Sequence, residues 1–371
     1  MNNCSFGCDK QEVKCDNSSR RLEMNFMYNR TCSIVVYCMI IMLFACSCGK
    51  NNSTAATAFY YWKTNFKLGA GQAGLIKQVG TNKIYVRFFD VNWDKNQRRA
   101  YPNAMVQFGD TLAGLNITPV IYIANATFEN MPDTAVDSLA VNCNKLLGNL
   151  AGEQHINYTS VQVDCDWTLT TRQRYFNFLL AFKTLNRHQL QATIRLHQVK
   201  FKERTGVPPV DRGVLMFYNM GKLNANLQQP NSIYNDADAE KYVPYVTSYP
   251  LKLDVALPLF SWAIHIREGK LIQVYGKIGH GQLDNRDDFE KIAGANNYRA
   301  RHSFFLAGIY IKQNDIFKLE EITAAGLNTA AKQLIKYLPQ QPNRTIIYYE
   351  LANINLSEYQ AETIRQVSDR F

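Results

Sequence analysis

The chain has 371 residues, 46% hydrophobic and 19% charged, with 41 Lys and Arg against 31 Asp and Glu for a formal net charge of +10. It is too apolar for a disordered chain and long enough for one large domain or two smaller ones. The basic residues are dispersed, with only short clusters such as Gln97-Arg98-Arg99 and Arg172-Gln173-Arg174. Nucleic-acid binders concentrate such charge in a stripe, so no nucleic-acid partner is expected.

The first element in chain order is an apolar run of 11 residues, 34–44, preceded by Arg30. A membrane-spanning helix needs roughly 20, so the run reads as the apolar core of an export signal that is removed. Leu43-Phe44-Ala45-Cys46 resembles a bacterial lipobox, which implies cleavage before Cys46 and lipid on its thiol, with Cys48 the alternative acceptor. A leader rarely carries about 30 residues ahead of its core, so Met24 or Met27 is the expected start. Residues 1–45 are then a leader, 46–57 a lipidated tether and 58–371 a single domain anchored at the cell envelope, on the outer membrane. Beyond Cys46 only Cys48, Cys143 and Cys165 remain, with no C-x-x-C pair and no His/Cys cluster at ligand spacing. No metal is expected.

Eight apolar runs read as strands: 58–64, 83–90, 117–124, 160–166, 191–197, 213–219, 251–258 and 344–350. Between them, 133–150, 170–185 and 322–338 place apolar residues near the 3.6 period and are expected helices, and 357–367 closes the chain as another. The interval 69–80 has room for a short helix; 201–212, with Pro208-Pro209, is expected to have none. Strands alternating with crossovers predict an irregular (β/α)8 TIM-type barrel. The interval 260–343, before the eighth strand, is an insertion. It is expected to hold one hairpin turning at Glu268-Gly269 and another turning around Gln313-Asn314-Asp315.

The fourth strand and its extension, VQVDCDWT (161–168), carry the strongest chemical signal. Period-two alternation sets Gln162, Asp164 and Asp166 on one side and Val161, Val163 and Cys165 on the other. The polar side then points into the barrel and climbs toward its C-terminal mouth. Carboxylates in a packed interior need partners or a role. The fifth strand offers Thr193, Arg195 and His197 as a matching row, with Arg195 placed to clamp Asp164 or Asp166. Other strand ends bring Trp62 with Lys63, Asp90 with Trp93, Tyr218 with Asn219, Trp262 and Glu350.

All four tryptophans (Trp62, Trp93, Trp167, Trp262) fall at or just past a predicted strand end. Aromatic faces beside fork-like polar groups suit sugars, and glycoside cleavage needs two carboxyl groups. Asp166 and Glu350, on strands that face each other across a barrel, are the candidate catalytic pair, with Asp164 tuning Asp166 and Asp90 in reserve. Trp62, Asp90, Trp93, Arg195, His197, Tyr218, Asn219 and Trp262 are the candidate substrate-binding residues. No G-x-S-x-G elbow occurs, and GAGQAG (69–74) lacks the acid and the βαβ context of a dinucleotide site, so no cofactor is expected.

VDCDWT is similar to the strand-four signature of chitinase-like glycosidases, Asp-x-Asp-x-Glu, whose last glutamate is the acid. Here Thr168 occupies that position. More broadly, the lipobox, VDCDWT followed by TTRQRYF, and TIRLHQ, LMFYNMG and ALPLFSW resemble a group of glycosidase-like barrel lipoproteins of Bacteroidetes. The resemblance implies the barrel more securely than a reaction. The expectation is a glycoside hydrolase-like surface lipoprotein, monomeric, acting on a poly- or oligosaccharide by carboxylate acid/base chemistry. The alternatives are a non-catalytic glycan-binding barrel, at which Thr168 hints, and an outer-membrane assembly subunit with a flat apolar patch.

Overall fold

The computed structural model describes residues 55–110, 112–292, 294 and 296–371. The expected leader, Cys46 and residues 46–54 of the tether lie outside the described residues. Eight strands run parallel: β1 Ala56–Tyr61, β2 Lys83–Asp94, β3 Asn116–Ile123, β4 Ser160–Asp164, β5 Gln189–Arg195, β6 Arg212–Met216, β7 Leu253–Pro258 and β8 Thr345–Tyr349. Each pairs with its neighbour in chain order, and β8 pairs back onto β1. The sheet therefore closes, and the fold is a (β/α)8 TIM-type barrel. β1 begins at Ala56 and so takes up the last residues of the expected tether.

The helices form where apolar residues recur on one face. In α1 (Ala70–Val79) Leu75 and Ile76 are buried. In α2 (Val136–Glu153) the buried set is Val136, Leu139, Ala140, Cys143, Leu147 and Ala151. In α3 (Arg172–Asn186) it includes Tyr175, Phe178, Leu179 and Phe182. These spacings of three and four make one stripe against the sheet. α4 (Ala324–Ile335) starts where the Thr323 hydroxyl accepts the Gly326 N–H, and α5 (Ala361–Ser368) ends the chain. β5 is followed only by the short helices Leu196–Lys200 and Lys202–Thr205; the second falls in the interval expected to have none.

Alternation divides the strands between two cores. Outward residues such as Phe59, Val86, Val163 and Ile194 pack with the helices. Inward residues (Ala58, Tyr60, Tyr85, Val120, Val214, Met216, Ala256 and Ile347) fill the barrel. Several polar groups at the bottom of the barrel are paired. Arg212 reaches Asp254 through Nε at 3.0 Å, Asp254 also accepts the Thr345 N–H at 2.8 Å, and Lys83 Nζ donates to Thr345 Oγ1 at 3.1 Å. Higher up, Tyr60 donates to Gln162 Oε1 at 2.8 Å.

The insertion after β7 carries a five-stranded antiparallel sheet in the order Lys270–Tyr275, Ser261–Arg267, Ile316–Glu321, Asn297–Ala300, Phe289–Lys291. It packs around its own core of Ala263, Leu283, Phe289, Tyr298 and Phe317. The first hairpin turns at Glu268-Gly269, as expected, both residues having positive φ. The second does not turn around Gln313-Asn314-Asp315. It turns at Ala307-Gly308, between Phe304–Leu306 and Ile309–Ile311, where φ values of 50° and 83° suit a tight two-residue hairpin. Ile316–Glu321 leaves it to pair with Ser261–Arg267 and Asn297–Ala300.

Candidate functional site

The site is assembled at the C-terminal ends of the barrel strands. On β4, Gln162 and Asp164 face inward, as their alternation requires. Asp164 is 4% exposed, and Thr193 Oγ1 on β5 donates to its Oδ1 at 2.6 Å. Burial pushes its carboxyl up to about 6; Arg195 pulls it down, Asp166 adds to the rise, and Asp90 adds further. Asp166 lies just past the end of the strand with its side chain 52% exposed, and Arg195 grips it as a fork: Nε to Oδ1, and Nη2 to Oδ2 at 2.8 Å. Arg195 therefore clamps Asp166 in a two-point ion pair while Thr193 holds Asp164.

Asp90 reaches the mouth because β2 is irregular. Lys83, Tyr85 and Arg87 take the inward, odd-numbered positions, so strict alternation would turn Asp90 outward. The register shifts between Arg87 and Phe89, which sets Phe88 and Phe89 both in the outer core and leaves Asp90 opposite Tyr122. Arg87 Nη1 lies 3.6 Å from Asp90 Oδ2. Burial raises the Asp90 carboxyl and Arg87 lowers it in part. Asp90 Oδ1 and Arg87 Nε are buried without a hydrogen-bond partner, and the guanidinium carbon of Arg87 sits 5.6 Å from the Trp62 ring centre.

Glu350 follows the last residue of β8 and is 7% exposed, with Asn353 Nδ2 donating to its Oε1. Burial raises its pKa, and Lys63, the Asn353 hydrogen bond and Arg87 lower it. The charges acting on Glu350 are thus Lys63 and Arg87, whereas those acting on Asp164 are Arg195, Asp166 and Asp90.

Aromatic side chains join these groups. Trp62 lies 5.7 Å from Tyr349 and 6.5 Å from Tyr122, Tyr349 stacks on Tyr218 at 5.8 Å and 21°, and Phe260 touches Tyr218, Tyr349 and Trp262 at 5.7, 5.6 and 5.3 Å. Six rings therefore run across the mouth from β3 to the insertion. The Tyr218 hydroxyl is buried without a hydrogen-bond partner. Trp262 Nε1 donates to Glu320 Oε2 at 3.1 Å, and Ser232 N–H donates to the same oxygen at 3.0 Å, which ties the loop after β6 to the insertion. Tyr122, Tyr349 and Phe260 were not singled out from sequence. Their inward parity on β3 and β8, and the spacing of Phe260 from Trp262, were the available signals.

Three expected site residues lie elsewhere or sit differently. Trp93 leaves the barrel with the extension of β2, packs against the outer core and lines a cavity on the flank. His197 does not continue the row of Thr193 and Arg195, because β5 stops at Arg195, whose N–H donates to Gln198 Oε1 at 2.8 Å; His197 is exposed on the helix Leu196–Lys200. Burial lowers its pKa, Asp166 opposes this and Arg195 adds to the lowering. Asn219 is exposed with φ of 55°, a left-handed conformation Asn tolerates, and its N–H donates to Ile233 O at 2.8 Å.

Trp167 keeps its position just past a strand end but does not reach the mouth. This residue is 2% exposed, donates Nε1 to Thr205 O at 3.0 Å and stacks on Tyr175 at 5.2 Å. Thr168 Oγ1 lies 2.9 Å from the hydroxyl of Thr170 and 3.2 Å from that of Thr171, and Thr171 donates to Asn125 Oδ1 at 2.6 Å. The position of the glutamate in the similar signature is here part of a hydroxyl cluster. Among the described residues no group of three or more His, Cys, Asp or Glu side chains could hold a metal ion.

With this geometry in place, solved structures give a comparison. The Bacillus cereus spore cortex-lytic enzyme SleL is similar to this chain with a TM-score of 0.50 at 13% identity, over 85% of this chain and 74% of that one. The likeness is one of fold. A chitinase-like agglutinin from Robinia pseudoacacia matches with a TM-score of 0.49 at 10% identity, over 84% of this chain and 99% of that one. A GH18 chitinase from Cycas revoluta matches with a TM-score of 0.47 at 13% identity, over 85% and 99%. No protein-family model and no curated protein matches the sequence.

Proposed function

We propose that the barrel mouth binds a carbohydrate chain, with the aromatic band as its platform and the Asp166–Arg195 pair as its hydrogen-bonding fork. The observation that carries this reading is the unbroken contact from Tyr122 through Trp62, Tyr349, Tyr218 and Phe260 to Trp262, beside an exposed carboxylate locked to a guanidinium. Sugar rings stack their C–H faces on such platforms while charged forks take their hydroxyls. Thr168, held among hydroxyls, supplies no acid, which favours binding over cleavage.

One observation favours cleavage as a second reading. Asp164 is buried with its carboxyl raised to about 6 and neighbours two further carboxylates, the environment in which one acid stays protonated while another is ionised. In that reading Asp166 and Glu350 act as the pair of carboxyl groups and Asp164 tunes Asp166. The test is to incubate the full chain with oligosaccharides and follow both binding and release of reducing ends. Binding without release supports a binding barrel. Release that survives in both Asp166→Asn and Glu350→Gln removes those two residues from the chemistry.

The lipid anchor is proposed as well, on the strength of Leu43-Phe44-Ala45-Cys46. Expression with a labelled fatty acid should mark the wild type and leave Cys46→Ala unmarked. Label retained in that variant would point to Cys48 or to no lipobox at all.

A further inference from the structure

An apolar hollow lies apart from the mouth, on the flank of the barrel. β2 runs on past Asp90 and pairs antiparallel with Arg99–Asn103, so a hairpin stands out from the sheet opposite α2. Between hairpin and helix is a cavity of about 500 Å³, walled by Phe89, Val91 and Trp93 on one side and Met131, Leu139 and Leu146 on the other. That volume lies within the range of small-molecule sites, roughly 300–1,000 Å³. Cys143 also lines it, its thiol pushed up to about 12 by burial and so unreactive.

The rim differs from the walls. Arg98 and Arg99, at the turn of the hairpin, line the same cavity; both are exposed, and neither pairs with a carboxylate among the described residues. The uncharged polar groups at the cavity are Ser138 and Asn142 on α2, the hydroxyl of Tyr101 and the indole N–H of Trp93. A sugar would find few partners for its hydroxyls here. A chain of methylenes ending in an anion would find both an apolar bed and two guanidinium forks.

We propose that this cavity binds a single-chain amphiphile of the fatty-acid carboxylate class, with its alkyl chain between β2 and α2 and its carboxylate at Arg98 and Arg99. The proposal is independent of what the barrel mouth does.

The test is calorimetric titration of the full chain with laurate, kept below the concentration at which it forms micelles. One saturable site is expected. Shortening the chain to decanoate should weaken binding about sixteenfold, since each buried methylene is worth about 0.8 kcal/mol, or about fourfold. Arg98→Glu with Arg99→Glu, both surface positions, should weaken laurate at least tenfold and spare dodecanol. Ser138→Trp, an exposed position facing the hollow, should abolish binding while leaving the circular dichroism spectrum unchanged.

Any of these results would overturn the proposal: no saturable laurate binding, equal affinity for dodecyltrimethylammonium, laurate binding that persists in Ser138→Trp, or self-association through this face in place of laurate binding. Attachment to anionic phospholipid vesicles without binding of free laurate would also overturn it, by assigning the arginines to a membrane headgroup.

Discussion

Asp164 and Trp167 stand three residues apart and meet opposite fates. The alternation of VQVDCDWT correctly turned Asp164 into the barrel, because β4 is regular as far as that residue. Carried on past the end of β4, the same alternation sets Trp167 on the outer side with Val163 and Cys165, where its indole packs onto Tyr175; it was the position at a strand end that pointed it to the mouth. A Trp167→Ala chain should therefore lose about 3–5 kcal/mol in urea unfolding, the cost of emptying a core aromatic site, against about 1–2 kcal/mol for the partly buried Trp62→Ala. Equal losses would mean that Trp167 is not a core residue. Asp164 gives a pH signature. Its folded pKa, about 6, lies above the unfolded value of roughly 3.9, so the native state binds the extra proton and stability falls as pH rises between those values. Asp164→Asn removes that penalty. It should be more stable than wild type at pH 8 by on the order of 2–3 kcal/mol, with the difference closing at pH 4. A constant difference would show that the carboxyl titrates normally.

Elements were legible where their pairing is local. The helical stripes of α2 and α3 and the hairpin at Glu268-Gly269 follow from near-neighbour spacing alone. The bulge in β2 was not legible, since nothing in RFFD distinguishes an extra residue from continued alternation, yet it is what brings Asp90 to Arg87. The insertion sheet was illegible for another reason: its central strand, Ile316–Glu321, pairs on one side with residues about fifty to sixty positions earlier, and the side chains that grip Asp315 at its start, Arg267 and His265, are about as remote. Asp315 accepts Arg267 at 2.7 and 2.6 Å, His265 Nε2 at 2.8 Å and the Lys312 N–H at 2.8 Å. Removing it as Asp315→Ala should cost about 3–5 kcal/mol, the usual penalty for breaking a buried ion pair from one side. Acid should loosen this sheet, in contrast to Asp164. Burial lowers the His265 pKa, so the unfolded chain binds its proton first and stability falls as pH drops below about 6.5. Asp315 is likewise lowered, despite its burial, by Arg267 and its other donors, and its contribution goes as pH falls below about 4. Hydrogen exchange at pH 7 and pH 4.5 should show protection lost first in 261–275 and 316–321. Uniform loss across the barrel would contradict this.

For the whole molecule, the order of eight strand-like runs sufficed to give a closed barrel, because short connections and parallel crossovers leave few other ways to bury every run. Which ends of those strands form a site depended on features outside that order: where β5 stops, where β2 bulges, and how far Phe260 and Trp262 reach in from the insertion. The result is one mouth with a continuous aromatic band and two sets of acids, one around Arg195 and one beside Lys63 and Arg87. The measurement that tests this most directly is calorimetric titration of the full chain and of Trp62→Ala and Trp262→Ala with a panel of oligosaccharides. Saturable binding that weakens about tenfold or more in each variant, roughly 1.4 kcal/mol, is the expected result. A glycan bound with equal affinity by all three chains, or a failure of every glycan to bind the folded wild type, would contradict a carbohydrate site at the barrel mouth.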